Sequence, residues 1–297
     1  MKKASILLTF FVSVILFGCK EIGPPIDFGH GAQHIDTTYV GSVESPQPRN
    51  VMIEEFTGVY CPNCPAGHAI LESIQHTDTG RVVIAGLYII GPPQTDPVPS
   101  LTSIPGISDS SFQTVVATTI GNSIYGGIGS LPSAGIDRVN YSSLGMLLDR
   151  SVWGSTVDTR LTVPTIVNLY LTSTYDTGSK AASVIFKAAF TQAISGKVQI
   201  NIGIIENNII NAQEDQTQVD TFYVQNHVLR DMITTPATGT PILNSVSSIE
   251  AGRVFQSQFT YKITNPTWVP SNCKVFAFMT DSTQQVMQAV ETSLTGF

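Results

Sequence analysis

The chain has 297 residues, 42% of them hydrophobic and 12% charged, a globular composition with length enough for two cores. Its 15 Lys+Arg against 22 Asp+Glu leave a formal net charge of −7 and no basic surplus to neutralise a phosphate backbone. No Lys/Arg cluster follows Lys2-Lys3, so nucleic acid is not an expected partner.

Residues 1–18 pair a cationic start with an apolar run from Ile6 to Gly18, the length of a signal-peptide core and short of the ~20 residues a spanning helix needs. They read as an export signal. The segment ends in Leu16-Phe17-Gly18-Cys19, which resembles the lipobox of bacterial lipoproteins, where the signal is cut before the cysteine and that cysteine is acylated. The competing reading is an ordinary secretory signal with an incidental Cys19. More than one acyl chain would give a stable membrane anchor, since anchoring grows with each buried methylene. With Cys19 set aside, Cys61, Cys64 and Cys273 remain, and in an exported chain an odd count means one pair and one leftover. Cys273 opens C-K-V-F-A-F-M, whose alternate residues share an apolar strand face, so it is expected to be a buried thiol.

Residues 19–49 are polar and punctuated by Gly23-Pro24-Pro25 and Pro46-Gln47-Pro48, and read as a flexible tether. Strand character begins at Val51-Met52-Ile53. Cys64 to about Gln75 reads as a helix with Ala66, Ile70 and Ile74 at four-residue spacing, and residues 81–90 form a continuous β-branched run as in a parallel strand covered on both faces. That is one βαβ unit. Residues 91–130 are rich in Pro, Gly, Ser and Thr and read as an insertion and candidate lid, with one helix starting near Asp109 and running through Ile120. A short strand follows Pro132, then a helical stretch from about Gly145 to Leu161. From Val163 the pattern is β-rich, in runs such as DTFYVQNHVL at 220–229 with turn signals such as Ser195-Gly196 between several of them, which predicts an antiparallel sandwich of about seven strands. Domains are therefore expected at 50–162 and 163–297.

"EFTGVYCPNCP" at 55–65 carries the chemistry. A Cys-x-x-Cys between a strand and a helix puts the first sulfur, Cys61 Sγ, within reach of solvent and near unpaired N–H groups at the positive end of the helix dipole, which favours its thiolate. The second cysteine, one turn on, can resolve a mixed disulfide. Pro62 is placed in the first helical turn, and Pro65 is a candidate kink. Three readings stay open: a redox-active dithiol, a stable structural disulfide, or a metal site with His68. A closed zinc site wants four ligands and no second cysteine pair exists, so His68 is expected to be a solvated helix residue. Glu55 is a candidate proton acceptor if buried; the equal alternative is that Glu54 and Glu55 alternate across a strand, on opposite faces, with one of them simply exposed. Asn226-His227-Val228-Leu229-Arg230-Asp231 reads as structural. No Gly-x-Ser-x-Gly elbow, P-loop or dinucleotide glycine pattern appears, which leaves hydrolase and nucleotide chemistry unsupported.

The Glu55-to-Cys61 spacing resembles the thioredoxin superfamily, where a buried acid precedes the nucleophilic cysteine by six positions, and Leu131-Pro132 falls where that fold has its substrate-binding cis-proline loop. Tyr60 stands where the family has Trp, and Pro62-Asn63 replaces its Gly-Pro. "EEFTGVYCPNCPA" at 54–66, Pro132 to Arg138, "QNHVLRDM" at 225–232 and "QAVE" at 288–291 further resemble the bacterial lipoprotein family named after outer membrane protein 28. That resemblance implies an α/β thioredoxin-like domain followed by an all-β immunoglobulin-like domain, lipid-anchored in the cell envelope. It implies Cys61 as nucleophile, Cys64 as resolving thiol in a Cys61–Cys64 disulfide, Glu55 as proton relay, and Leu131 and Pro132 as substrate contacts. The expected partners are envelope protein thiols or disulfides and, through Cys19, the membrane. No metal or organic cofactor is called for. The alternative is a surface lipoprotein that binds protein or glycan through its sandwich, with the cysteine pair as a staple.

Overall fold

The computed structural model describes residues 35–98, 110–244, 246 and 248–296. The signal peptide, Cys19, the tether as far as residue 34 and residues 99–109 of the insertion lie outside the described residues.

In chain order the strands and helices are β1 (Ile35–Val40), β2 (Val51–Phe56), α1 (Cys64–Thr77), β3 (Val82–Leu87), α2 (Val115–Tyr125), β4 (Ser133–Ile136), β5 (Leu147–Leu148), α3 (Trp153–Leu161), β6 (Val167–Asp176) and β7 (Ala181–Phe190). They continue as β8 (Ile194–Ser195), β9 (Val198–Glu206), β10 (Ile209–Glu214), β11 (Val219–Gln225), β12 (Val228–Met232), β13 (Thr240–Ile242), β14 (Ser248–Ile249), β15 (Arg253–Lys262), β16 (Cys273–Thr280) and β17 (Val286–Ser293). The chain is mostly β with few helices and is built around a β-sandwich.

A long sheet runs β17-β16-β9-β12-β3-β2-β4-β5, with β13 beside β9. β2 and β3 are parallel around α1, while β4 runs antiparallel to β2 and β5 antiparallel to β4. β2 and β3 are buried at every position, as their unbroken apolar runs require of strands covered on both faces. Val51, Ile53, Val82 and Ile84 pack with Leu71 and Ile74 of α1 and with Trp153 and Val157 of α3. Alternation sends Met52, Phe56, Val83 and Leu87 to the other face, against Ala117 and Ile120 of α2. α2 is therefore a core helix rather than part of a lid. It starts at Thr114, whose side chain accepts the Ala117 N–H as an N-cap, and stops at Gly126 in the left-handed region. The stretch predicted as helix from Gly145 instead begins as β5, passes through a 3-10 turn at Arg150–Val152 and becomes α-helical only at Trp153.

The second sheet, β1-β15-β7-β6, closes the sandwich. β6 and β15 alternate buried and exposed residues, and their inner side chains, Leu169 and Leu171 with Phe255 and Phe259, pack with Ile202, Ile204, Val275 and Ala277 of the long sheet. Each such buried aliphatic contributes about 1.5–3 kcal/mol.

The tether reading fails for residues 35–49. β1 pairs with β15 from Ile35↔Gln258 to Val40↔Arg253, and Asn168 Oδ1 accepts the Gln47 N–H at 2.7 Å. Thr-Thr-Tyr-Val has strand propensity, but an edge strand with exposed Tyr39 and Val40 carries no apolar period to announce it.

The described residues belong to one compact unit spanning Ala32–Phe297, and the long sheet contains strands from both sides of residue 163. β12 is the join: Val228 registers with Gly86 of β3, and the Gly86 N–H donates to His227 O at 2.7 Å. The run 220–229 that reads as one strand breaks at His227, which has φ 59°. It becomes β11, in a separate hairpin with β10, and β12, in the long sheet.

Candidate functional site: a covered disulfide

β2 delivers Thr57 to the site loop, whose N–H donates to Leu87 O at 3.2 Å. At Gly58 a Cβ would collide with the Gln94 carbonyl, and the Tyr60 N–H donates to that same oxygen at 3.0 Å. Cys61 and Cys64 form a disulfide across a turn closed by the Cys64 N–H on Cys61 O at 3.1 Å. α1 begins at Cys64, behind Asn63 as N-cap. It is Pro65 rather than Pro62 that sits in the first helical turn, where its missing N–H leaves no carbonyl unpaired, so it produces no kink.

Gly67, one turn on, is where two predicted residues, Pro132 and Glu55, meet α1. A Cβ there would lie 3.1 Å from the Pro132 ring and 3.2 Å from Glu55 Oε1. The Leu131–Pro132 peptide is cis. Neither glutamate is exposed. Glu54 binds Arg138 through both carboxylate oxygens and accepts the Tyr125 hydroxyl at 2.6 Å. Glu55, 3% exposed, has no hydrogen-bond partner at Oε1, and burial holds its carboxyl well above the usual carboxylate range.

His68 is not a solvated helix residue. Its Nε2 lies 2.8 Å from Thr57 Oγ1 and 3.7 Å from Glu55 Oε1, and its Nδ1 lies 2.8 Å from Tyr223 Oη. Burial lowers this imidazole to about 4. Burial first, then Lys274 and His68, lower His227 to about 4 as well. Both histidines line a cavity of about 550 Å³ with Glu55, Asn207, Asn226 and Tyr223, between α1 and the roots of the β10–β11 hairpin. Among the described residues no group of three or more His, Cys, Asp or Glu could hold a metal ion.

These histidines set a pH dependence. Between pH 6.5 and 4 the unfolded chain takes up protons that the folded imidazoles do not, so stability is fully present above about 6.5 and falls toward pH 4 by at most about 1.4 kcal/mol per unit per histidine. Glu55 has the opposite sign. Its raised value favours the neutral acid, so its contribution is complete below about 4.3 and declines as pH rises through the folded value. His68→Gln is expected to lower the slope of unfolding free energy against pH by about one proton within the pH 4–6.5 window. Urea titrations across that range measure it, and an unchanged slope would contradict the assignment.

The expectation that Cys61 is reachable by solvent is not met: Cys61 is 1% and Cys64 0% exposed. The β10–β11 hairpin, distant in sequence, is bonded down onto the loop that carries them. Gln213 Nε2 donates to Gly58 O at 3.1 Å and Cys61 O at 3.3 Å, the Glu214 N–H donates to Val59 O at 2.8 Å, and Gln216 Nε2 donates to Asn63 Oδ1 at 2.8 Å. Sequence reading passed over Gln213, Gln216 and Tyr223. A glutamine-rich turn between two short strands carries no pattern that names its partner.

Elsewhere the readings of structural residues stand. Cys273 is a buried free thiol pushed up to about 12 by burial. Arg230 pairs with Glu206 at 2.7 Å and Asp231 accepts the Tyr261 hydroxyl at 2.7 Å, both as packing contacts.

The fold and site define a mostly β chain built on a sandwich, with one Cys-x-x-Cys disulfide at a helix start beneath a β-hairpin. The family model of Outer membrane protein Omp28 matches residues 122–295, more than half of the chain, and the chain belongs to that family. The match begins within α2 and takes in Pro132, Arg138 and the whole hairpin, but not the cysteine pair. Among solved structures, HBP35 of Porphyromonas gingivalis is similar with a TM-score of 0.64 at 15% identity, over 84% of this chain and 77% of that one, and so shares the fold. A domain of the outer membrane lipoprotein Omp28 from Porphyromonas gingivalis aligns over 44% of this chain and 88% of that one, with 17% identity and a TM-score of 0.30. Protein AGR_C_4864 from Agrobacterium tumefaciens aligns over 84% of this chain and 96% of that one, with 11% identity and a TM-score of 0.47. No curated relative matches the chain.

Proposed function

We propose that this chain is a lipid-anchored cell-envelope protein, held in the outer membrane through Cys19, that carries out thiol–disulfide exchange of thioredoxin type. In this reading residues 50–162 are the thioredoxin-like part and 163–297 the immunoglobulin-like part. The observation that carries it is that α1, which begins at the Cys61–Cys64 disulfide, meets the Pro132 ring and the buried Glu55 carboxyl at Gly67, one turn on. A client thiolate attacks Cys61 Sγ, the Cys61–Cys64 bond breaks, and Cys64 leaves as a thiolate that takes the Glu55 proton. The client is then joined to Cys61. Run in reverse, Glu55 takes the Cys64 proton, and the Cys64 thiolate displaces the client's sulfur from Cys61 and regenerates the disulfide. Leu131 and Pro132 line the client's path. Neutral Glu55 beside a buried sulfur avoids two adjacent anions in a dry site.

The test is to titrate the couple in glutathione buffers and to replace Cys64 by Ser, which leaves Cys61 able to form a mixed disulfide that nothing resolves. The expected results are a potential within the range of known exchange proteins, roughly −120 to −270 mV, and client proteins trapped on Cys61 from envelope extract. A potential below about −300 mV together with no trapped client would overturn the reading.

A further inference from the structure

The β10–β11 hairpin has its polarity the wrong way round for a passive cover. Facing inward, Asn211, Gln213 and Gln225 are at most 1% exposed, while Ile210, Phe222 and Val224 on the outside are 59%, 73% and 47% exposed. The inward apolar contribution is Ala212 with half-buried Ile209 and Val219, in one small cluster with Val59, Tyr88, Val98 and Phe112; Tyr223 reaches His68, and the Tyr88 hydroxyl donates to Gln225 Oε1 at 2.9 Å. The polar groups are held by bonds that water can replace. Gln213 donates to Gly58 O, Cys61 O and Glu214 O and accepts from Gln225 Nε2, while Asn211 Nδ2 donates to Ser110 O. Lifting such a face uncovers that one small cluster and no part of the sandwich core, and each broken bond is exchanged for one to solvent at small net cost.

The roots of the hairpin are built alike. Asn208 and His227, just outside the two strands, have φ 58° and 59°, in the left-handed region that non-glycine residues rarely hold. Each is tied across: the Asn208 N–H donates to Asn226 Oδ1 and the His227 N–H to Asn207 Oδ1. The cavity of about 550 Å³ lies between these roots and α1, which leaves the hairpin room to move. Among the described residues the two strands pair with each other alone, as a separate two-stranded sheet.

We propose that the β10–β11 hairpin is a gate, latched by Gln213 and pivoting at residues 207–208 and 226–227, that decides which reductants and client thiols reach the Cys61–Cys64 disulfide. It deepens the exchange reading by naming what regulates that site.

The test uses the full chain and a water-soluble trialkylphosphine. The phosphine attacks Cys61 Sγ, the disulfide becomes two thiols, and the phosphine takes oxygen from water to become its oxide. If opening controls access, the wild-type rate reaches a plateau as phosphine concentration rises. Gln213→Ala raises that plateau about tenfold, and Gln216→Ala, at the exposed tip, about threefold, while Phe222→Ser on the outer face leaves it unchanged. Hydrogen exchange of the Glu214 amide quickens by the same factors, with the global unfolding midpoint unchanged. Equal rates in all four proteins, or an acceleration that merely tracks lost global stability, would overturn the gate. The arms are separable: a plateau that responds to Gln213, with a potential below about −300 mV and no trapped client, sinks exchange and keeps the gate, whereas trapped clients with ungated reduction sink the gate and keep exchange.

Discussion

Asp137→Ala is expected to destabilise the chain by about 3–5 kcal/mol, because it removes the anion that two buried guanidinium groups share. Asp137 Oδ2 accepts from Arg49 Nη2 at 2.7 Å and Arg160 Nε at 2.9 Å, while Oδ1 accepts the Met52 N–H at 2.9 Å. Arg49 and Arg160 are 5% and 8% exposed, so water has little access to replace the lost carboxylate. Arg49 also donates to Met287 O and Val286 O, and the Val286 N–H donates to Asp137 O, so the loss spreads from β2 and α3 to β17. Asp137→Asn keeps an acceptor for Met52 and should lose less. Urea denaturation gives both values, and a cost under about 1 kcal/mol for Asp137→Ala would show that the cluster does not hold these elements together.

Arg138→Met is expected to cost about as much, roughly 3–5 kcal/mol, for the opposite reason: it strands the Glu54 carboxylate. Arg138 Nε and Nη2 donate to the two Glu54 oxygens at 2.8 and 2.7 Å, Nη1 donates to Ala237 O at 2.8 Å, and the guanidinium lies 4.9 Å from the Phe278 ring centroid. The physical claim is that the penalty belongs to the unpaired charge rather than to the missing contact. Adding Glu54→Gln, which still accepts from Tyr125 but carries no charge, should therefore recover about 1–3 kcal/mol of the single-mutant loss. A double variant no more stable than Arg138→Met alone would refute that account.

Much of the local structure was legible because its causes are local. The β-branched run at 82–87 is a strand buried on both faces, the four-residue spacing after Cys64 is a helix, and the face shared by Cys273 and Val275 packs into the sandwich. The misreadings share a cause as well. Residues 35–40 became a strand because β15 offered an unpaired edge, and residues 220–229 divided because β12 joins β3 while β11 leaves to meet the site. The expectation for Glu54 and Glu55 was right about opposite faces and wrong about exposure, since both faces of β2 are covered.

The sequence by itself determined the strand–cysteine–helix order, the spacing that lets Cys61 and Cys64 bond, and the presence of a carboxyl six residues earlier. Those depend on periodicity and short spacing, which neighbouring residues settle among themselves. Only the tertiary structure decided that the disulfide is covered, that Glu54 is bound by Arg138 while Glu55 Oε1 is buried without a hydrogen bond, and that His68 meets Tyr223. Each of these depends on groups far apart in the chain meeting in a site with little water, where the partner's identity, rather than the local pattern, sets charge and access.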